Sequence, residues 1–300
     1  MRAVVFDRFG PPEVLRLAEL PDPAAGPGHL RVRVRAAGVQ PFDVAVRTGR
    51  MPWVQASFPQ QIGQEYAGIV DQVGEGVTGW AVGDEVLGSA MLNAVADYVV
   101  VPAENAVRKP AELDFPSAAA LVAAAQTASG ALGELKVAAG ETLLVHAAAG
   151  SVGTIAVQLA RQTGATVVGT ASPANHDYLR SLGAVPVAYG DGLVERVRAV
   201  APQGVDAALD AAGRGAIAAS VELVADKERI GTIVDDAAAA EFGTRVVRAG
   251  RSPQRLAEVV ALAATGRILL PVRAYTVDEI AAAHQAVESG HGRGKVVVTL

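Results

Sequence analysis

The sequence predicts an α/β protein in which a doubly wound parallel sheet accompanies a separate β-rich domain. Three observations carry this. Up to about residue 117 the chain is a series of short β-rich runs broken by Gly and Pro. From 118 to 261 strand-like and helix-like segments alternate, the pattern of a parallel sheet with crossover helices. Near Leu262 the pattern changes again, and "GRGKVVVTL" reads as a strand that cannot easily join the parallel sheet in order. The expected domains are therefore 1–117, with 262–300 returning to it, and 118–261.

In the first region "LRVRVRAAGV" alternates apolar and basic residues, as a half-buried strand does, and "YAGIVDQVGEGV" and "ADYVVVPA" are β-rich runs between turn residues. After "LDFPS", Ser117 is the expected cap of a helix over "AAALVAAAQTASGALGEL". The segments "TLLVHA", "TVVGTA", "VPVAY", "DAALDA" and "RIGTIV" then read as strands, separated by helical stretches such as "TIAVQLARQTG" and "HDYLRSLGA".

Composition narrows the function classes. The 300 residues are 51% hydrophobic, enough for a large core and more than one domain. A net charge of -5, with acidic and basic residues interspersed, offers no basic stripe for nucleic acid. The mean hydropathy is +0.29, yet no run reaches the roughly 18 apolar residues of a membrane helix, so a soluble, cytoplasmic protein is expected. With no cysteine there is no disulfide, no thiolate nucleophile and no sulfur-ligated zinc.

The stretch "ETLLVHAAAGSVGTIAVQLA" carries the chemistry. A strand ending at Val145, the turn "HAAAGSVG" and an amphipathic helix from Thr154 form the setting in which a dinucleotide pyrophosphate rests on a helix N-terminus. Ala148, Gly150 and Gly153 fill the three glycine positions, the first substituted. A tight packing turn without a ligand is the plain alternative. A nucleophile elbow with Ser151 is a second, requiring an acid and a histidine downstream; Asp210 and His284 stand in that order without a diagnostic spacing. An NAD site wants a carboxylate about 20 positions past the glycines. Ser172 stands there instead, and Ser172, Asn175 and His176 can all donate to a 2′-phosphate, which favours NADP(H).

Four stretches then point to a family: "AAGVQPFDVAVRTG" (36–49), "IGQEYAGIVDQVGEGVTGWAVGDEVLG" (62–88), "TLLVHAAAGSVG" (142–153) and "GHGRGKVVVTL" (290–300). Over nearly its full length the chain resembles the zinc-independent medium-chain dehydrogenase/reductases, in particular the NADPH quinone oxidoreductase branch. The resemblance implies a GroES-like β domain built from both chain ends, a Rossmann domain, and an active site in the cleft between them. It implies that Gly150, Ser151, Val152 and Gly153 hold the pyrophosphate, and that Ser172, His176 and Tyr189 surround the 2′-phosphate, with Thr170 in the same cofactor-binding set. Ala211 and Val234 would flank the nicotinamide, near Thr127, and Gly294 with Lys295 would close over the cofactor. A homodimer is implied as well, with "TRVVRAG" (244–250) as the edge segment.

The departures from the family pattern shape the expected reaction. Gln64 stands where zinc-dependent cousins have a histidine ligand, and none of the five histidines pairs at ligand spacing, so no metal is expected. Gln40 replaces an asparagine and Ala45 an aromatic, while Asp43 and Arg47 are retained and read as a structural ion pair holding the loop, with catalysis as the alternative. A chain without zinc ligands suits substrates that accept hydride readily, such as quinones and α,β-unsaturated carbonyls. Gln40 and Thr127 would position them, and Tyr66 is the candidate proton donor, with solvent and a packing role as its alternatives. Enoyl reduction in a biosynthetic pathway, or NADPH binding with little turnover, are the rival functions.

Overall fold

The computed structural model describes residues 1–290 and 292–300. In chain order the elements are β1 (Arg2–Phe6), β2 (Arg16–Glu19), β3 (His29–Val39), α1 (Pro41–Arg47), β4 (Gln60–Gln61), β5 (Glu65–Val73), β6 (Glu85–Ser89), β7 (Tyr98–Pro102), β8 (Ala106–Arg108) and α2 (Phe115–Glu134). They continue with β9 (Thr142–His146), α3 (Ser151–Gln162), β10 (Thr166–Ala171), α4 (His176–Ser181), β11 (Val185–Ala188), α5 (Leu193–Val200), β12 (Ala207–Asp210) and α6 (Ala216–Val221). The last are β13 (Ile230–Thr232), α7 (Asp236–Phe242), β14 (Arg245–Val246), α8 (Pro253–Ala264), β15 (Val272–Thr276), α9 (Ile280–Glu288) and β16 (Lys295–Thr299). The chain divides into two compact units, Met1–Ala123 with Ser252–Leu300, and Ala124–Arg251.

The first unit is β-rich. Its main sheet runs in the order β15-β16-β3-β5-β6-β8, with β7 also pairing β3, and β2-β1-β4 form a smaller sheet. Leu30, Val32 and Val34 of β3 face the core while Arg33 faces out, so the alternation in the sequence is the alternation of a strand with one wet face. The C-terminal strand β16 lies antiparallel to β3 and parallel to β15, which completes this sheet with the far end of the chain. Helix α8 packs on β8, so this unit resumes at Ser252, ten residues before the change of pattern at Leu262.

In the second unit a parallel sheet runs in the order β11-β10-β9-β12-β13-β14. The order reverses between β10 and β12 around the first strand, β9, as in a doubly wound fold. Leu143, Leu144 and Val145 are fully enclosed because helices cover both faces, which is why "TLLV" is a continuous apolar run. Gly231 leaves room for Leu135 and Val247 beside the sheet.

Two helix starts differ from the sequence expectation. Helix α2 begins at Phe115, capped by Asp114, whose carboxylate accepts the Ser117 N–H at 2.7 Å; Ser117 lies inside the first turn. Asp114 takes the capping role because its carboxylate accepts the Ser117 N–H, left orphaned in the first turn, as a charge-assisted bond. Helix α3 begins at Ser151, so Gly153 sits in its first turn instead of preceding it. No helix among the described residues is long and apolar enough to cross a membrane.

Candidate active site

In the second unit the turn after β9 is shaped by backbone contacts. Ala147 adopts φ 54°, a conformation L-residues seldom take, and its carbonyl accepts the Gly150 N–H at 3.0 Å. The Ala148 N–H donates to the Thr170 carbonyl at 3.0 Å, tying the turn to the end of β10. A Cβ on Gly153 would press on the Ala147 carbonyl oxygen and lie 2.6 Å from Ala148 Cα. Glycine is thus required for the helix to start this close to the strand. Gly150 has no such restriction, its nearest neighbour being the Ala147 oxygen at 3.4 Å. No side chain caps α3, so the first-turn N–H groups at Ser151, Val152 and Gly153 are left without a side-chain acceptor at the positive end of a 12-residue helix. These residues fit a dinucleotide pyrophosphate, since uncapped amides at a turn without bulky side chains are what it needs.

The proposed 2′-phosphate residues are gathered at the ends of β10 and β11. Ser172 and His176 are half-buried, with Asn175 donating to Ser172 Oγ at 3.5 Å, and His176 Nε2 is enclosed without a partner. Tyr189 is 56% exposed on the 188–191 turn. That turn is held by Arg196, which donates to the carbonyls of Ala188, Gly190 and Asp191. Thr170 differs from its neighbours in being buried, its hydroxyl donating to His146 Nδ1 at 3.5 Å. Its role is to hold the turn from beneath. Ala211 and Val234 follow β12 and β13, and Val234 is half exposed. Thr127 is half-buried on α2.

Beneath this surface lies a polar layer that motif reading does not disclose. His146 Nε2 bonds to Ser220 Oγ at 3.0 Å, and Ser220 donates to the Ala216 carbonyl at 2.8 Å. The hydroxyl proton is thus committed, so the imidazole carries its hydrogen on Nε2. Burial pushes the His146 pKa down to about 4, against the opposing pull of Asp210. Asp210 accepts from the N–H groups of Ala212 and Gly213 at 2.7 and 2.8 Å and from the Thr232 hydroxyl at 2.8 Å. Thr232 Oγ1 in turn accepts from Val234 and Asp235. One carboxylate therefore organises the backbone on both sides of the expected nicotinamide position.

In the first unit, Gln40 is the N-cap of α1 and forms a capping box with Asp43, whose carboxylate accepts the Gln40 N–H at 2.9 Å. Burial raises the Asp43 pKa to about 7, opposed by that N–H. Gln40 Nε2 donates to Gln64 Oε1 at 2.9 Å, and Gln64 Nε2 to Met91 Sδ at 3.6 Å. Glu65 is fully buried, paired with Lys295 and accepting the Ala123 N–H at 3.0 Å.

Several expectations are corrected here. Asp43 and Arg47 are not paired: Arg47 is fully buried, donating to the Gly10 carbonyl at 3.2 Å and to the Glu288 carboxylate of α9. His284, on the same helix, is buried with both ring nitrogens unbonded, and burial followed by the Arg47 charge pushes its pKa down to about 3. Tyr66 is no proton donor: it is fully enclosed, its hydroxyl lacks a partner, it fills the space above Gly88, and burial raises its pKa. The Lys295 ammonium is not free to meet a cofactor, because it is spent on Glu65 with 4% of the residue exposed. Gly294, at φ 69°, is needed where a Cβ would meet the Pro271 carbonyl. Of the acid and histidine downstream of Ser151, Asp210 is committed to Thr232 and two turn N–H groups, and His284 belongs to the first unit.

Among the described residues no group of three or more His, Cys, Asp or Glu could hold a metal ion, and His291 lies outside them.

Two family descriptions match the chain: "Alcohol dehydrogenase GroES-like domain" over residues 26–111 and "Zinc-binding dehydrogenase" over 182–298. The chain is 36% identical to the spectinabilin polyketide synthase system protein NorB of Streptomyces orinoci, over 95% of its own length and 14% of that protein. It is also 36% identical to the pikromycin polyketide synthase component PikAII of Streptomyces venezuelae, over 93% of the chain and 8% of that protein. It thus spans only a small part of these curated relatives. Among solved structures, the quinone oxidoreductase from Coxiella burnetii is 30% identical, with a TM-score of 0.90, 100% of this chain and 99% of that one being covered. The Escherichia coli quinone oxidoreductase complexed with NADPH is 26% identical with a TM-score of 0.89, both chains being covered in full. CurK enoyl reductase is 26% identical with a TM-score of 0.88 over 99% of this chain and 98% of that one. The two domain types in one chain, and a relative of this identity along its whole length, show that the chain belongs to the medium-chain dehydrogenase/reductase superfamily.

Proposed function

We propose that the chain is an NADPH-dependent oxidoreductase that reduces a quinone or a conjugated enone. The observation that carries this is the uncapped turn at 147–153, where Gly153 admits no Cβ and no carboxylate stands at the Ser172 position. When bound, NADPH supplies a hydride from C4 of its nicotinamide. The protein holds the pyrophosphate on the first-turn N–H groups of α3 and receives the 2′-phosphate among Ser172, His176 and Tyr189. Thr127 is a positioning donor at the nicotinamide, and Asp210 keeps the backbone at Ala211 and Val234 in place. Gln40 offers an amide N–H to the acceptor oxygen as charge develops there. With Tyr66 enclosed, the proton comes from solvent. The NADPH complex of the E. coli quinone oxidoreductase supports the choice of cofactor, and the two quinone oxidoreductase structures support the choice of acceptor.

Enoyl reduction within a biosynthetic assembly is the second reading. It is favoured by the identity to two polyketide synthase proteins over more than nine-tenths of the chain and by the likeness to CurK enoyl reductase. Steady-state NADPH consumption with 1,4-naphthoquinone and with a conjugated enone thioester separates the two. A larger kcat/KM for the quinone supports the first reading and the reverse supports the second. Tight NADPH binding with neither acceptor reduced would leave a nucleotide-binding protein with little turnover. A homodimer through β14, at the edge of the parallel sheet with Val246 exposed, belongs to the same reading, and sedimentation would detect it.

A further inference from the structure

We infer that Gln64 is a second donor to the acceptor oxygen, so that Gln40 and Gln64 bind it as a pair of amides. This rests on the reading of the chain as a reductase of conjugated carbonyls.

The amides form a series whose sense is fixed at the Met91 end. Gln64 Nε2 lies 3.6 Å from Met91 Sδ, and a thioether carries no hydrogen, so Gln64 must turn its NH2 group to Met91. Its carbonyl oxygen then faces Gln40, which must present its own NH2, in agreement with the 2.9 Å contact. The series therefore ends in N–H groups at Met91, whose side chain is 64% exposed. Each NH2 carries two hydrogens, and the series commits one of each.

The last bond is the weakest. A thioether is a poor acceptor, so an oxygen gaining negative charge displaces it from the Gln64 amide at little cost. The neighbouring charges cannot take this part, because Glu65 is committed to Lys295 and to the Ala123 N–H, and Asp43 to the cap of α1. Neutral donors remain, and they stabilise an oxyanion without transferring a proton to it. Apolar surface accompanies them: Trp53 is 64% exposed and lies 5.4 Å from the Phe42 ring, two residues beyond Gln40. An amide pair with an aromatic ring nearby suits a flat, conjugated acceptor. In an enone the β-carbon gains a C–H bond with both hydride electrons, and the C=C pair moves so that the negative charge rests on the carbonyl oxygen. Gln40 and Gln64 hold that oxygen. Water then protonates the α-carbon, leaving the saturated carbonyl and NADP⁺.

The test is a comparison of the wild type with Gln64→Leu and Gln64→Glu, with kcat and KM measured for a quinone and an enone and NADPH affinity measured by fluorescence titration. Gln64→Leu is expected to lower kcat about 10- to 100-fold on the acceptor the wild type prefers while NADPH affinity stays within about twofold. Gln64→Glu keeps the shape but donates only when protonated, so its kcat should rise as pH falls, relative to the wild type, which a purely structural role would not produce. This second variant also decides the matter if Gln64→Leu folds poorly. A Leu variant with unchanged kcat, or a Glu variant whose kcat follows the wild-type pH profile, would overturn the inference while leaving the proposed function intact. A wild type that binds NADPH and reduces neither acceptor would overturn both.

Discussion

His146 and Asp210 face each other in register across β9 and β12, both buried, yet they make no hydrogen bond to one another. The imidazole is satisfied by Ser220 and Thr170, the carboxylate by Thr232 and two backbone N–H groups. An imidazolium would give Asp210 a direct partner, but the cost of burying that charge keeps the ring neutral. Asp210 is therefore free to organise the turns after β12 and β13.

Removing that carboxylate strands its donors. Asp210→Ala should destabilise the protein by about 2–4 kcal/mol, because a buried hydroxyl and two turn N–H groups lose their acceptor. NADPH affinity should fall with it, as the backbone at Ala211 and Val234 loosens. Asp210→Asn keeps one acceptor oxygen and should lie between. Urea unfolding with parallel NADPH titration checks this, and a fully stable Asp210→Ala would contradict it.

The buried histidines make stability depend on pH with a definite sign. In the unfolded chain they titrate near 6.5, whereas His146 is held at about 4 and His284 at about 3 in the folded protein. Below about pH 6.5 the unfolded state takes up protons that the folded state refuses, so stability falls as pH drops and levels off only below the folded values. His146 alone should contribute about 3 kcal/mol to that loss. A His146→Gln variant should show a shallower decline between pH 7 and 4.5 in denaturant melts, and an unchanged slope would argue against a buried neutral ring.

Asp43 works in the opposite sense. Its folded pKa of about 7 lies above the ordinary 3.8, so the folded protein holds a proton that the unfolded chain releases. That contribution is complete below about pH 4 and is lost as pH rises through 7. Asp43→Asn, neutral throughout, should gain on the wild type by a few kcal/mol between pH 5 and 8.5, on the order of the shift itself. A difference between the two proteins that does not change with pH would contradict this.

The two glycines of the turn should separate folding from binding. Gly153→Ala forces a Cβ against the backbone of Ala147 and Ala148 and should cost about 2–3 kcal/mol of stability, with NADPH binding lost. Gly150→Ala meets only the Ala147 oxygen at 3.4 Å, so it should fold normally, with weaker NADPH binding because the new methyl stands where a phosphate approaches. Thermal melts and nucleotide titration of both variants check the pair. Equal loss of stability in the two would count against this division of roles.

The fold was legible because its signals are local. The alternation in β3, the apolar run of β9 and the small-residue turn before α3 each reflect burial that a short window of sequence reports. Capping was less legible: Asp114 and Ser117 are both plausible caps, and only the 2.7 Å contact decides between them. Pairings that join distant residues left no such signal. Arg47 with Glu288 and Glu65 with Lys295 bring the two ends of the chain together, so spacing could not foretell them, and each overturned an expectation for one of its members. The layer of His146, Asp210, Thr232 and Ser220 was hidden for a related reason. Its residues lie on separate strands and a helix, and only the order of the parallel sheet makes them neighbours. The aromatic of Tyr66 misled because the same residue type serves proton transfer and packing, and burial alone tells the two apart.

The most direct measurement of the central claim is a crystal structure of the protein soaked with NADPH. The account predicts the diphosphate within hydrogen-bond distance of the N–H groups of Ser151, Val152 and Gly153, with the 2′-phosphate beside Ser172 and His176. A nucleotide bound elsewhere, or crystals that take up none at saturating concentration, would contradict it.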